Sequence, residues 1–188
     1  MATVVERIGA YVAGLQYGNL DSAVVDYTKR ILLDSIACSY GGLDSEPARI
    51  VRASASRFPG EGQATVWADG SRTTAPLAAL ANGVAIRYQD YNDVYFGPAW
   101  TAHPSDNIAT LIATAEWLGA SGLDLLTAIV ATYEVQMRFS DLPVPQNLWH
   151  RGWHHTTACS YAAAAGVARL MRLDGARQCT RTARPGAV

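Results

Sequence analysis

Lysine is nearly missing from this chain: of its 15 basic residues only Lys29 is a lysine, and the others are arginines. Cysteine is scarce as well. Cys38, Cys159 and Cys179 lie too far apart for a CxxC metal or cluster motif, and an odd count fits a reducing compartment better than a disulfide framework. Neither sign of charge is in excess. The 15 basic and 16 acidic residues leave a formal net charge of −1, so nothing calls for nucleic acid or an anionic membrane as partner. No run approaches the roughly 20 consecutive apolar residues of a membrane-spanning helix. Glu6 and Arg7 interrupt the first apolar pattern, unlike the core of a secretory leader. There is no GxSxG elbow, no phosphate-binding loop and no dinucleotide fingerprint, and the glycines are scattered at the ends of helical patterns. Together these absences predict a soluble, cytoplasmic protein that binds neither nucleic acid nor membrane.

What is present is helical. With 188 residues, 49% of them hydrophobic, the chain can build one domain with a substantial core. Val4 to Leu15 is amphipathic. Asp21 caps a pattern running to Tyr40, which Gly41-Gly42 should end. Its apolar residues (Val24, Val25, Tyr27, Ile31, Leu32, Leu33, Ile36) cover much of the circumference and predict a central, buried helix, with Asp34 buried in it. Ser45 caps the next helix, with Pro47 in its first turn, and Thr74-Ala75-Pro76 opens another running to Arg87. Ser105 is expected to cap a helix carrying Ile108, Leu111, Ile112 and Ala115. Ser121 and Asp124 form a capping box before a one-sided stripe of Leu126, Ile129, Val130, Tyr133 and Met137. An alanine-rich helix starts near Thr156 and runs to Leu173. The only strand signal is a weak one at Ala64–Trp67, before Asp69-Gly70. The expected fold is all-α over residues 1–174. Residues 175–188 lack any apolar period and read as an irregular tail, compatible with a change of reading frame.

Two segments could carry chemistry. Arg87-Tyr88-Gln89-Asp90-Tyr91-Asn92-Asp93, followed by His103-Pro104-Ser105-Asp106-Asn107, puts carboxylates, an amide and a histidine in one irregular segment between two helices, where catalytic groups tend to sit. An acid–base enzyme needs a proton acceptor and a donor whose environments separate their pKa values, and an Asp and a His converging there could supply both. The structural alternative is that Asp90 and Asp93 cap turns and His103 packs beside Pro104. The second segment, His150-Arg151-Gly152-Trp153-His154-His155-Thr156, enters the alanine-rich helix, whose free N–H groups and dipole could seat a carboxylate. Its alternative is a Thr156 cap with solvent-facing histidines. A metal site is disfavoured, because Gly152 breaks the helix that His150 and His154 would need and no third ligand is obvious. Tyr133, on the apolar stripe, reads as a core residue with a satisfied hydroxyl.

Taken in order, Leu32-Leu33-Asp34-Ser35-Ile36-Ala37-Cys38, Ala81-Asn82-Gly83, Asp90-Tyr91-Asn92-Asp93, His103-Pro104-Ser105, Tyr133-Glu134-Val135 and Arg151-Gly152-Trp153-His154-His155 resemble the MmgE/PrpD family. That family includes 2-methylcitrate dehydratase and cis-aconitate decarboxylase, and the form of the Arg87–Asp93 segment is closer to the dehydratase branch. The resemblance implies an N-terminal helical domain beside a smaller α+β domain, an active site in the cleft between them, homodimers, and no cofactor, metal or iron–sulfur cluster. It also implies a hydro-lyase acting on a small polycarboxylate. Asp90, His103, His154 and His155 would then be catalytic, with Arg87, Asn92, Asp93, Ser105 and Arg151 binding substrate. His103 or His154 would act as base, with Asp90 orienting or donating. Relatives are more than twice as long, and their second domain brings lysines to the site. A truncated, split or non-catalytic relic form is therefore the alternative class, and decarboxylation of cis-aconitate the alternative chemistry.

Overall fold

The structure is a computed structural model that describes residues 2–143 and 148–174. Among these residues seven α-helices dominate: α1 (Val4–Gly14), α2 (Ser22–Gly42), α3 (Glu46–Ala55), α4 (Ala75–Arg87), α5 (Ile108–Leu118), α6 (Gly122–Ser140) and α7 (Thr156–Leu170). The fold is thus mainly helical, as the periodicity requires. The irregular tail read at 175–188 lies outside the described residues, as does most of the proline loop before Leu148.

Capping chemistry sets most of the helix starts. Thr3 and Glu6 form a reciprocal box at α1: the Glu6 amide donates to Thr3 Oγ1 at 3.2 Å and the Thr3 amide donates to Glu6 Oε2 at 2.7 Å. Asp21 Oδ1 accepts from the Ala23 amide at 2.7 Å to open α2. Ser45 accepts from Ala48 to open α3, and Ser121 accepts from Asp124 to open α6.

α6 is the axis of the domain. Leu126 through Tyr133 are eight successive buried residues, so this helix is covered on every side rather than along one stripe. It packs along α7 and reaches α5 and α2, while α4 packs along α5 and α2. Ile86, Ile108, Leu111 and Ile129 are all within 1% of complete burial where α4, α5 and α6 meet. Each such side chain is worth about 1.5–3 kcal/mol on burial, so this junction anchors the arrangement.

Three expectations are corrected. α2 is not the buried central helix: Val24, Tyr27, Leu33 and Tyr40 are exposed, as is Asp34, and its buried face carries Val25, Thr28, Ser35, Cys38, Ser39 and Gly42. Small side chains there let α2 lie close to α4, so burial follows packing rather than hydropathy. Gly41-Gly42 does end α2, as expected, but from inside the helix rather than beyond it. The helix runs through both glycines, and a Cβ at Gly42 would overlap the Ala85 carbonyl oxygen of α4. Strand is also more frequent than expected. β1 (Ala64–Thr65) pairs antiparallel with β2 (Arg72–Thr73), and a second hairpin pairs β3 (Tyr95–Phe96) with β4 (Thr101–Ala102). Strands of two residues are too short to show any alternation. Finally, Ser105 does not cap α5. It lies in a 3₁₀ turn, Pro104–Asn107, and α5 starts after Asn107, because the Ser105 hydroxyl is engaged elsewhere.

Candidate active site

The segment between α4 and α5 folds back on itself. Arg87 ends α4, and its guanidinium bonds the carboxylate of Asp90. Asp90 sits at φ +54, in the left-handed region that Asp tolerates better than most residues. The guanidinium also donates to Asn92 Oδ1 at 3.3 Å and lies 3.6 Å from Asp106 Oδ1. Asn92, nearly buried, donates from Nδ2 to Ser105 Oγ at 2.8 Å and to Asp106 Oδ1 at 3.1 Å. One carboxylate oxygen of Asp93 accepts from the Ser105 amide at 3.0 Å and the other from the Tyr133 hydroxyl at 2.8 Å. The Asp93 carbonyl meets His103 Nδ1 at 2.7 Å. The hairpin β3–β4 bridges the two halves of this loop, and Ala99 N donates to Ser140 O at the end of α6, which pins it.

The second segment arrives from the other side. After a 3₁₀ turn (Leu148–Arg151), Gly152 at φ +79 redirects the chain, and His155 precedes the first residue of α7. The His103 and His155 rings meet edge to face with centroids 5.6 Å apart, and His155 and His154 are 4.1 Å apart. Trp149 flanks His154 at 5.2 Å, and His154 Nδ1 lies 3.0 Å from Thr156 Oγ1. Asp90, His103, His154 and His155 therefore share one patch with Arg87, Asn92, Asp93 and Ser105. Arg151 is exposed at the end of its turn, one step before this cluster.

Electrostatics separates the groups. The hydrogen bond and charge of Arg87 hold the Asp90 carboxyl below the usual carboxylate range, so it is an acceptor at neutral pH rather than a donor. Burial, reinforced by the neighbouring His154, His103 and Arg87, pushes His155 down to about 4, leaving a neutral imidazole. Burial raises Asp106, against the opposing pull of Arg87 and His103. Burial also raises Tyr133, keeping its hydroxyl a donor.

Several participants were not legible as such. Asp106 and Asn107 look like turn residues, yet Asn107 donates to Pro104 O and to Gln136 Oε1 at 2.6 Å, and Gln136 Nε2 lies 3.2 Å from Cys159 Sγ. This buried polar chain ties the loop to α6 and α7. Cys159, pushed up to about 12 by burial, is a protonated packing group rather than a nucleophile. Tyr133, expected in the core, does have its hydroxyl satisfied, but by a residue of the site. Only a helix register that placed Tyr133 opposite the loop could have revealed this. Among the described residues no group of three or more His, Cys, Asp or Glu is arranged to hold a metal, and no helix is long and apolar enough to cross a membrane. A cavity of about 360 Å³ between α1 and α6 is lined mainly by apolar residues such as Ile8, Val135 and Phe139, and lies apart from this chemistry. The candidate site instead opens at the surface: Asp90 and His154 are exposed, Tyr91 next to Asp90 is 82% exposed, and the exposed Trp149 lies against His154.

The described residues thus form a mainly helical domain in which the loop before α5 and the turn before α7 together present a histidine–carboxylate patch. The chain matches the MmgE/PrpD N-terminal domain over residues 6–182 and belongs to that family. It is 29% identical over 184 residues to cis-aconitate decarboxylase of Homo sapiens, covering 94% of this chain and 38% of that protein. It is 31% identical over 144 residues to the Mus musculus cis-aconitate decarboxylase, covering 73% of this chain and 29% of the relative. Against 2-methylcitrate dehydratase of Escherichia coli (strain K12) it is 34% identical over 110 residues, 52% of this chain and 22% of that one. The chain thus spans well under half the length of these curated relatives.

Proposed function

We propose that this chain is the helical portion of a lyase that removes water from a small polycarboxylate such as 2-methylcitrate by acid–base chemistry. The observation that carries the reading is the convergence of His103, His154 and His155 with Asp90 and Arg87 from two segments about 50 residues apart in sequence. In the proposed reaction His103 accepts the proton next to a substrate carboxylate, and the electron pair forms the new double bond. The hydroxyl departs from the neighbouring carbon as water, taking its proton from His154, since His155 is held as a neutral imidazole with no acidic proton to give. Asp90, kept ionised by Arg87, orients the imidazoles rather than donating. Cationic groups near the developing charge are worth several kcal/mol of barrier in such sites. Arg87 is largely compensated by Asp90 and Asp106. Arg151, which is exposed, is assigned to substrate binding, whereas Asn92 and Ser105, buried and bonded to each other, hold the loop in shape. The remaining cations would come from the rest of a longer protein or from a second copy in a homodimer.

A second reading, loss of carbon dioxide from cis-aconitate, is favoured by the alignment with the human decarboxylase along nearly the whole chain. The test is to titrate the ¹⁵N-histidine-labelled chain with 2-methylcitrate and with cis-aconitate, and to analyse each mixture for released water product and carbon dioxide. Shifts of the His103, His154 and His155 rings are expected even where turnover is weak. Rings unmoved by millimolar polycarboxylate would sink the site, and would leave the chain as a non-catalytic member or split subunit. Carbon dioxide without dehydrated product would replace dehydration by decarboxylation.

A further inference from the structure

Tyr133 stands on the most buried helix of the domain, yet its hydroxyl points into the candidate site. It donates to Asp93 Oδ2 at 2.8 Å, while the Ser105 amide donates to Asp93 Oδ1 at 3.0 Å. Both oxygens of this carboxylate are therefore occupied by fixed donors, one from α6 and one from the 3₁₀ turn that begins next to His103. Asp93 is left with little freedom to serve a substrate directly. What it presents to the site is its peptide carbonyl, 2.7 Å from His103 Nδ1. A carbonyl can only accept, so the proton of a neutral His103 must lie on Nδ1 and the lone pair on Nε2. The position of that carbonyl depends on the two anchors of the side chain below it.

We infer that Tyr133 is a positioning residue: through Asp93 it holds His103 as the Nδ1–H tautomer and so keeps Nε2 unprotonated as the proton acceptor. The inference rests on the reading of His103 as the base, but its structural content does not require turnover. It separates Tyr133 from its neighbours on the α6 stripe. Ile129 and Leu126 contribute only packing, whereas Tyr133 adds a hydrogen bond with a defined direction. Asp93 likewise becomes a support rather than a group that binds substrate.

The experiment uses the full chain labelled with ¹⁵N-histidine, whose four histidines can be assigned with His103→Gln and the matching variants. Imidazole nitrogen spectra at neutral pH should show His103 predominantly as the Nδ1–H form. In Tyr133→Phe the ratio of Nδ1–H to Nε2–H should fall about 2- to 10-fold, the factor associated with one net hydrogen bond. Asp93→Ala, which takes away the acceptor that Tyr133 and the Ser105 amide share, should produce the same fall if Tyr133→Phe folds poorly. The double variant should fall no further than either single one. A His103 ratio that stays at the wild-type value in folded Tyr133→Phe or folded Asp93→Ala would overturn the inference and return Tyr133 to a packing role. Absence of polycarboxylate binding would refute the functional reading without moving this ratio, so the two failures are separable.

Discussion

Gly42→Ala is the substitution that most directly tests how α2 meets α4. Gly42 is buried as the last residue of α2, and an added Cβ would overlap the Ala85 carbonyl oxygen, with the carbonyl carbon at 2.9 Å and Cα at 3.0 Å. These are backbone atoms, so no rotamer change relieves the collision. The helices must part until carbon and oxygen reach an ordinary separation of about 3.3 Å or more. Overpacking of this kind costs about 1–3 kcal/mol, against a gain of about 0.5–1 kcal/mol from replacing a helical glycine by alanine. Because Gly42 is the last helical residue the gain is at its lower figure, so the net expectation is destabilisation of about 0.5–2.5 kcal/mol, or a Tm lower by roughly 1–10 °C for a domain of this size. The control is Gly83→Ala in the middle of α4. There the new Cβ would meet only Ala109 Cβ at 3.7 Å, an ordinary contact, so the propensity gain should stand alone and raise Tm slightly. Differential scanning calorimetry of the two variants side by side is the assay. Equal Tm values, or a Gly42→Ala protein as stable as wild type, would refute the close α2–α4 contact. The perturbation should also reach the site, because Gln89 Nε2 donates to Gly41 O at 2.9 Å, two residues beyond Arg87.

Other expected outcomes can be checked with similar means. His155, lowered to about 4 from 6.5, resists protonation in the fold while the unfolded chain accepts it. Stability from this group is full above about pH 6.5 and is lost as pH falls towards 4, and His155→Gln should flatten the fall in Tm between pH 7 and 5. Asp106 is raised by burial, so it costs stability progressively as pH rises from 3.8 to its folded pKa, and in full above that. Asp106→Asn should therefore raise Tm at pH 7, with the gain fading as pH drops towards 3.8 and gone below it; a loss at pH 7 would mean that its pairing with Arg87 outweighs burial. Asp34→Ala, at an exposed position, should change stability by no more than about 0.5 kcal/mol in denaturant titration.

The helices were legible because their caps are chemical signals: Asp21, Ser45 and Ser121 each bond the amide they were expected to bond. What sequence could not convey was which helix lies inside. α2 has the apolar residues, but α6 has the position, since alternating Ala and Thr among Leu and Ile let neighbours close in on all of its faces. The loop residues Asp90, Asn92, Asp93 and His103 were visible as a cluster of chemical types. Their division of labour was not, because it depends on contacts across long sequence gaps: Asp93 is tied to Tyr133 forty residues away, and His103 meets His155 across fifty-two. The Ser105 hydroxyl was read as a cap for want of knowing that Asn92 would claim it.

The continuous burial of α6 from Leu126 to Tyr133 has a consequence for how the molecule can be monitored. Amides in a helix enclosed on every face cannot reach solvent by fraying or by the opening of one neighbour, so they should exchange with deuterium only when the whole domain opens. Their exchange rates thus form an internal gauge of global stability, against which the faster exchange expected in the exposed first half of α2 can be read. Binding at the rings, by stabilising the folded domain as a whole, would register on that gauge as an equal slowing from Leu126 to Tyr133, on a helix that contributes none of those rings.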